Sequence, residues 1–300
     1  MRIRVPFRAM ASEHAITVDS DEEAIARTAI AAAIADVHRI EAKFSRYRDD
    51  SVTTAINRSA GGRAIVIDAE TEALLRYADQ CHALSAGRFD ITSGVLRRAW
   101  DFRREPPRVP QQSEIEALLP LIGWASVELD RGTVRLPREG MQVDLGGIGK
   151  EYAADRAATL LQQHGVAHAL VNLGGDVRAI GGQSSGAAWR IGIVHPRRPE
   201  TAIASVEIVD GAVATSGDYE RFFVHEGRRY CHLLDATTGW PVHAWQSISV
   251  TAPVCVFAGS CATIAMLLGE DAGAFLATQE VAWLGVDAEG ALHGSLGSAP

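Results

Sequence analysis

Asp144-Leu-Gly-Gly-Ile-Gly-Lys150 runs straight into a helical stretch, residues 150–164, which stops at Gly165 and gives way to the apolar strand Ala169–Leu173. Outward from this loop, helix and strand, the C-terminal half is rich in strands. They are expected at 189–194, 202–208, 222–225, 229–234 and 247–250. A helix at 258–268, stopped by Gly269, and a last strand at 281–286 follow. Toward the N-terminus, residues 5–18 read as one long strand or a strand pair. Ser20 with Glu23 has capping-box spacing and opens a helix to about Phe44, with Ile30, Ile34, Val37 and Phe44 near helical spacing. A short helix at 52–57, a Gly61-Gly62 turn and a strand at 64–67 lead to a helix capped by Asp68, which buries Leu74, Leu75, Ala78 and Cys81 and which Gly87 is placed to stop. Pro106, Pro107 and Pro110 mark an irregular connection, and Ser113 with Glu116 repeats the capping-box pattern. Residues 127–129 and 133–136 form a hairpin around Asp130-Arg-Gly132. Helices and strands alternate irregularly, which predicts an α+β fold of layered mixed sheets with helices rather than a regular βαβ array. Without an internal repeat or a low-complexity linker, residues 1–300 are expected to form a single compact unit, bilobed at most.

Composition narrows the function. Of 300 residues, 47% are hydrophobic and 22% charged, which excludes a disordered or collagen-like chain. The charge is 29 − 37 = −8, and basic residues gather only in short clusters such as Arg103 with Arg104 and Arg197 with Arg198. No nucleic-acid partner is expected, while a local site for one small anion stays open. Cys81, Cys231, Cys255 and Cys261 make no CxxC and read as reduced, mostly buried thiols. Met1 to Met10 lacks an apolar leader core and a lipobox cysteine, and no stretch approaches about 18 uninterrupted apolar residues. The expectation is a cytoplasmic protein with no membrane span.

Generic motifs carry little alone. The 144–150 loop has the small residues and following helix that let backbone amides cradle a phosphate, with Lys150 adding a charge. It is not a Walker A loop, because Asp144 stands where a glycine is needed and Glu151 follows the lysine. A tight turn with a surface lysine would fit the same residues. The ten histidines show no zinc spacing. His225 and His232 flank the Glu226-Gly227 turn of one hairpin. Ser216 lacks a GxSxG context and is expected in a turn, with its side chain and that of Asp218 bonding backbone amides.

The constellation is more specific than its parts. Met10-Ala-Ser12, Phe44-Ser-Arg-Tyr47 with Ser51 and Asn57, Gly87-Arg-Phe-Asp-Ile-Thr-Ser-Gly94 with Leu96 and Trp100, residues 144–152, and Val171-Asn-Leu-Gly-Gly-Asp176 follow one another in order. Thr215-Ser-Gly-Asp-Tyr-Glu-Arg-Phe222 and Tyr230-Cys-His-Leu-Leu-Asp235, with Thr238, Gly239 and Pro241, complete the set. Over nearly its whole length the chain resembles the flavin transferase (ApbE) family, which moves FMN from FAD onto a threonine of a target protein. The resemblance implies a T-fold-related architecture. It also implies that Met10, Tyr47, Arg88, Phe89, Asp90, Asp144, Lys150 and Leu233 contact FAD. Met10 and Tyr47 would border flat rings by dispersion and stacking, although core packing would suit either residue. His232 matches the proposed base that takes the threonine proton. The implied Mg²⁺ would be held by the Gly147 carbonyl, by Thr263, and by an aspartate one helical turn before Thr263.

At that aspartate position this chain has Gly259. Three readings stay open. The cation could rest on Thr263, Gly147, phosphates and water; another carboxylate could reach in; or the protein binds FAD with little transfer. The rivals to transfer are accordingly an FAD-storage protein and an FAD pyrophosphatase that releases FMN and AMP.

Overall fold

The computed structural model describes residues 1–296; residues 297–300, part of the expected single unit, lie outside the described residues. In chain order the elements are β1 (Arg2–Ala9), β2 (Ser12–Asp19), α1 (Glu23–Phe44), α2 (Val52–Arg58), β3 (Ile65–Val66), α3 (Ala69–Leu84) and α4 (Gln112–Glu116). Then come β4 (Glu128–Asp130), β5 (Thr133–Arg135), α5 (Gly149–Gln163), β6 (Ala169–Leu173), β7 (Asp176–Ile180), β8 (Trp189–His195), β9 (Arg198–Ile208) and β10 (Gly211–Gly217). The remainder is β11 (Phe222–His225), β12 (Arg228–Cys231), β13 (Trp245–Ala252), α6 (Cys255–Leu268), α7 (Ala272–Thr278), β14 (Ala282–Asp287) and β15 (Leu292–Gly294).

The main sheet has eight strands in the order β1-β2-β6-β7-β10-β13-β14-β15, each paired antiparallel with its neighbours. Burial alternates along β6, whereas β10 and β13 run through consecutive buried residues, as strands covered on both faces do. Helices α1, α5 and α6 supply that layer: Ile30, Val37, Ala154, Leu161, Ala262 and Met266 share a core with Ile16, Val171, Ala214 and Val250. The opposite face is covered over β7 and β10 by the β8–β9 hairpin, through Trp189, Ile191 and Ile208 against Val177 and Val213. A separate aromatic cluster of Leu96, Trp100, Ile115 and Phe223 supports the β11–β12 hairpin, with Tyr230 packed against it. The architecture is the α+β layering expected from the sequence.

Details differ where local signals compete with packing. Residues 5–18 are a strand pair, turning through Met10 (φ 49°) and Ala11 (φ 62°). Both dihedrals are left-handed, the conformation a two-residue hairpin turn demands. The Ser20–Glu23 box does not form. Ser20 Oγ accepts from the Glu22 amide instead, and Glu22 is the N-cap of α1 without a side-chain bond. The second box is shifted: Glu114, not Glu116, accepts from the Gln111 amide. Asp68 caps α3 as expected, accepting from the Thr71 amide at 2.9 Å. Thr215 and Ser216 lie inside β10 and not in a turn, because β13 pairs with them, Thr215 opposite Ser249 and Ser216 opposite Ile248. The stretch Cys255–Thr278 is long and apolar enough to cross a membrane (mean hydropathy 1.3), but 61% of its apolar window is buried inside the protein. Gly269 divides it into α6 and α7.

Candidate functional site

The 144–150 loop is fixed from three sides before it meets any ligand. Asn57 brackets Val143, donating to its carbonyl at 3.0 Å and accepting from its amide at 2.7 Å. The Asp144 amide donates to the Ile91 carbonyl. Asp144 Oδ1 then accepts from the Gly146 amide at 2.9 Å, closing the turn. Beneath it lies Phe89: a Cβ added at Gly147 would stand 3.4 Å from that ring. That is an ordinary contact distance, and the loop rests on a buried aromatic floor.

Two guanidiniums converge on Asp144 Oδ2, Arg46 at 3.0 Å and Arg97 at 3.2 Å. Burial alone would raise the carboxyl pKa, but the charges of Arg97 and Arg46 outweigh it and hold the group below its ordinary value. Lys150, in the first turn of α5, pairs with Asp176 at the start of β7. Its burial works against the charge, yet Asp176 and Glu151 win and its pKa rises, so it stays cationic.

His232 follows β12, with its amide donating to the Arg221 carbonyl. Its Nδ1 is buried with no hydrogen-bond partner. Burial, then the positive charges of Arg221 and Arg97, push its pKa down to about 4; Lys150 adds to the same effect. The ring is neutral near pH 7 and faces a cationic neighbourhood suited to a polyphosphate.

On α6, Thr263 Oγ1 lies 2.6 Å from Ser216 Oγ of β10. Gly259, one turn earlier, is covered by Glu151. A Cβ there would stand 2.6 Å from Glu151 Cγ and 2.9 Å from its Oε1. Glu151 is 7% exposed, and its Oε2 has no hydrogen-bond partner. Burial first, then the charge of Asp176, pushes its pKa up to about 8.

The remaining expected contacts divide by what they already hold. Met10 sits in the β1–β2 turn, its amide donating to Glu41 Oε1 at 2.6 Å. Tyr47 is 72% exposed, with the Arg46 guanidinium 5.8 Å from its ring centroid, so an aromatic face stands free beside the loop. Asp90 is buried with both oxygens engaged: Oδ1 accepts from the Thr92 amide and hydroxyl, Oδ2 from the Trp124 amide. Arg88 donates to Asp235 Oδ2 and to the Leu267 carbonyl, tying the segment after His232 to the end of α6. The Leu233 carbonyl accepts from the Val242 amide. Arg88 and Asp90 thus each hold other parts of the fold in place, and Phe89 underlies the loop. Motif reading assigned no site role to Arg46, Arg97, Arg221, Asp176 or Glu151, and read Ser216 only as a turn residue. The four-residue spacing of Glu151 and Asp155 places both on one face of α5.

Comparisons with known proteins agree with one another. A model of the ApbE family matches residues 10–284. The chain is 35% identical over 246 residues to the FAD:protein FMN transferase of Treponema pallidum, spanning 76% of this chain and 68% of that one. With the FAD:protein FMN transferase of Vibrio cholerae, identity is 31% over 241 residues, 79% of this chain and 72% of the relative. Among solved structures, the ApbE protein of Thermotoga maritima superposes with a TM-score of 0.91 at 34% identity, covering 98% of this chain and 97% of that chain. The flavin transferase ApbE from Vibrio cholerae gives a TM-score of 0.82 at 26% identity, covering 99% and 97%.

Proposed function

This chain belongs to the ApbE family, and on that premise we propose how it works as an FAD:protein FMN transferase. The acceptor is a threonine hydroxyl of a target protein. Its proton passes to His232 as its oxygen bonds to the FMN-side phosphorus of FAD; the bond from that phosphorus to the bridging oxygen breaks, and AMP leaves. The observation that carries this is the neutral, unpartnered His232 imidazole under the field of Arg97, Arg221 and Lys150. Those cations favour the pyrophosphate. The bound anion in turn offsets their effect on the ring, raising its proton affinity toward the range a general base needs.

Lys150 and Arg97 draw negative charge to the 144–150 loop, whose amides and helix N-terminus favour a phosphate. Met10 and Tyr47 are assigned to the borders of the flavin nucleotide, where an exposed phenol ring suits stacking. The residues also fit a divalent cation, because Glu151 carries a buried carboxylate oxygen with no partner and its side chain lies against Gly259, one helical turn before Thr263. The Gly147 carbonyl and the Thr263 hydroxyl would hold Mg²⁺, which when bound neutralises charge on the departing phosphate. A cytoplasmic location, with no membrane span, belongs to the same reading; its support is that Cys81, Cys231, Cys255 and Cys261 are free and buried.

The test is incubation with FAD, Mg²⁺ and a threonine-bearing acceptor, read by intact mass. A covalent FMN adduct with one equivalent of AMP is expected. Unchanged FAD would mean storage, and free FMN would mean a pyrophosphatase.

A further inference from the structure

Helices α5 and α6 face each other in a regular antiparallel register. At one level Asp155 of α5 accepts from the Cys255 and Val256 amides at 2.8 Å each, capping the start of α6. One turn back along α5 and one turn forward along α6, Glu151 lies against Gly259. A further turn along α6 reaches Thr263, and four residues before Glu151, ahead of the first turn of α5, lies Gly147 of the 144–150 loop. Gly259, Thr263 and Gly147 are the positions to which a cation site has been assigned above, and Glu151 lies against the first of them.

We propose that Glu151 is the carboxylate of that cation site, reaching across from α5 into the volume left open by Gly259 on α6. Three independent observations meet there. The Cβ of any other residue at 259 would overlap the Glu151 side chain, at 2.6 Å from Cγ. Glu151 is buried, yet its Oε2 has no donor. An ionised carboxylate in such a place is costly unless a positive partner compensates it. The hydroxyl pair of Thr263 and Ser216 offers uncharged oxygen next to the same helix turn. Oxygen ligands with a single carboxylate suit Mg²⁺, which retains water and completes its shell with substrate phosphate. Among the described residues, no three His, Cys, Asp or Glu side chains form a ligand group. The site is therefore incomplete without the FAD pyrophosphate.

This inference rests on the transferase reading, but it can be tested without an acceptor. Mn²⁺ is titrated into the FAD-saturated protein and free Mn²⁺ is followed by electron paramagnetic resonance. Glu151→Gln keeps the shape against Gly259 and removes the charge, so Mn²⁺ affinity is expected to fall about tenfold or more. In Glu151→Gly/Gly259→Asp the carboxylate is moved to the other helix, and most of the affinity should return. FAD binding by flavin fluorescence and the thermal midpoint verify that each variant is folded. Wild-type affinity in Glu151→Gln, or no Mn²⁺ binding by the wild type, would overturn the proposal. If the exchanged double variant binds as weakly as Glu151→Gln, positions 151 and 259 do not serve one site and the proposal also falls. Loss on Glu151→Gln with recovery in the double variant, in a wild type that gives no covalent flavin, would uphold the cation ligand and overturn the transferase reading instead.

Discussion

Ser216 Oγ of β10 and Thr263 Oγ1 of α6 stand 2.6 Å apart, a side-chain bond that both fixes the helix on the sheet and orients a proposed cation ligand. Two hydroxyls sharing one hydrogen leave the acceptor's own proton free to turn elsewhere. Ser216→Ala and Thr263→Val should each cost about 1 kcal/mol. The double variant should lose clearly less than their sum, because the second change removes no bond that is still made. Urea unfolding of the four proteins measures this, and strictly additive losses would show that the bond is not formed in solution.

His232→Ala should lower covalent flavin transfer by about 10²–10⁴-fold, the span of a general base. FAD affinity should change little, since the ring carries no charge to the anion at neutral pH. Transfer at the wild-type rate would make His232 a structural residue of the hairpin and would remove the mechanism.

The acidity of His232 has a sign that can be checked. Its folded pKa of about 4 lies below the ordinary 6.5. As pH falls, the unfolded chain binds the proton first. The neutral ring's stabilising contribution is therefore complete above about pH 6.5 and is lost progressively down to about pH 4. Between pH 7 and 4 the thermal midpoint of the wild type should fall more steeply than that of His232→Gln. In the transfer reaction, the acid limb of kcat/KM should sit near pH 4, and that of kcat at higher pH because bound pyrophosphate raises the imidazole. Coincident limbs at 6.5 would contradict both statements.

Gly239 should not tolerate a side chain. Its φ is +74°, and a Cβ would stand 2.4 Å from Ile115 Cγ2. Its carbonyl also accepts from Trp100 Nε1 at 2.8 Å, so a shift to relieve the clash would break a buried bond. Gly239→Ala is expected to cost about 2–4 kcal/mol through backbone strain and overpacking. Guanidinium unfolding reads the loss. A change below about 0.5 kcal/mol, the ordinary surface value, would mean that this lobe repacks freely.

Much of the architecture was legible in the sequence. Helix α5 shows itself because Ala153, Ala154, Ala157, Ala158 and Leu161 recur on one face before Gly165 ends it. Strand β10 does not: Gly-Ala-Val-Ala-Thr-Ser-Gly has weak strand propensity, and only its pairing with β7 and β13 extends it. Of the site, the loop and His232 stand out as motif residues. Their partners do not, because Lys150 with Asp176, Arg97 with Asp144, and Glu151 with Gly259 are joined by folding and not by spacing. Asp90 shows the converse. It reads as a ligand-lining residue from its motif, while in the folded chain both of its oxygens are committed to Thr92 and Trp124.

The contact between Glu151 and Gly259 changes what counts as a missing residue. Where two helices touch, an acidic group can be rooted in either backbone and still occupy one volume. Column-by-column inspection would score a deletion at 259 and an unrelated charge at 151. On the proposed site the two positions act as one: an aspartate added at 259 would have to displace the Glu151 side chain, and a glycine at both positions would leave a hole. A lineage could cross between the two arrangements only by passing through a crowded or an emptied intermediate. A reading by signature position alone would miss such an exchange, because its two halves are rooted in different helices.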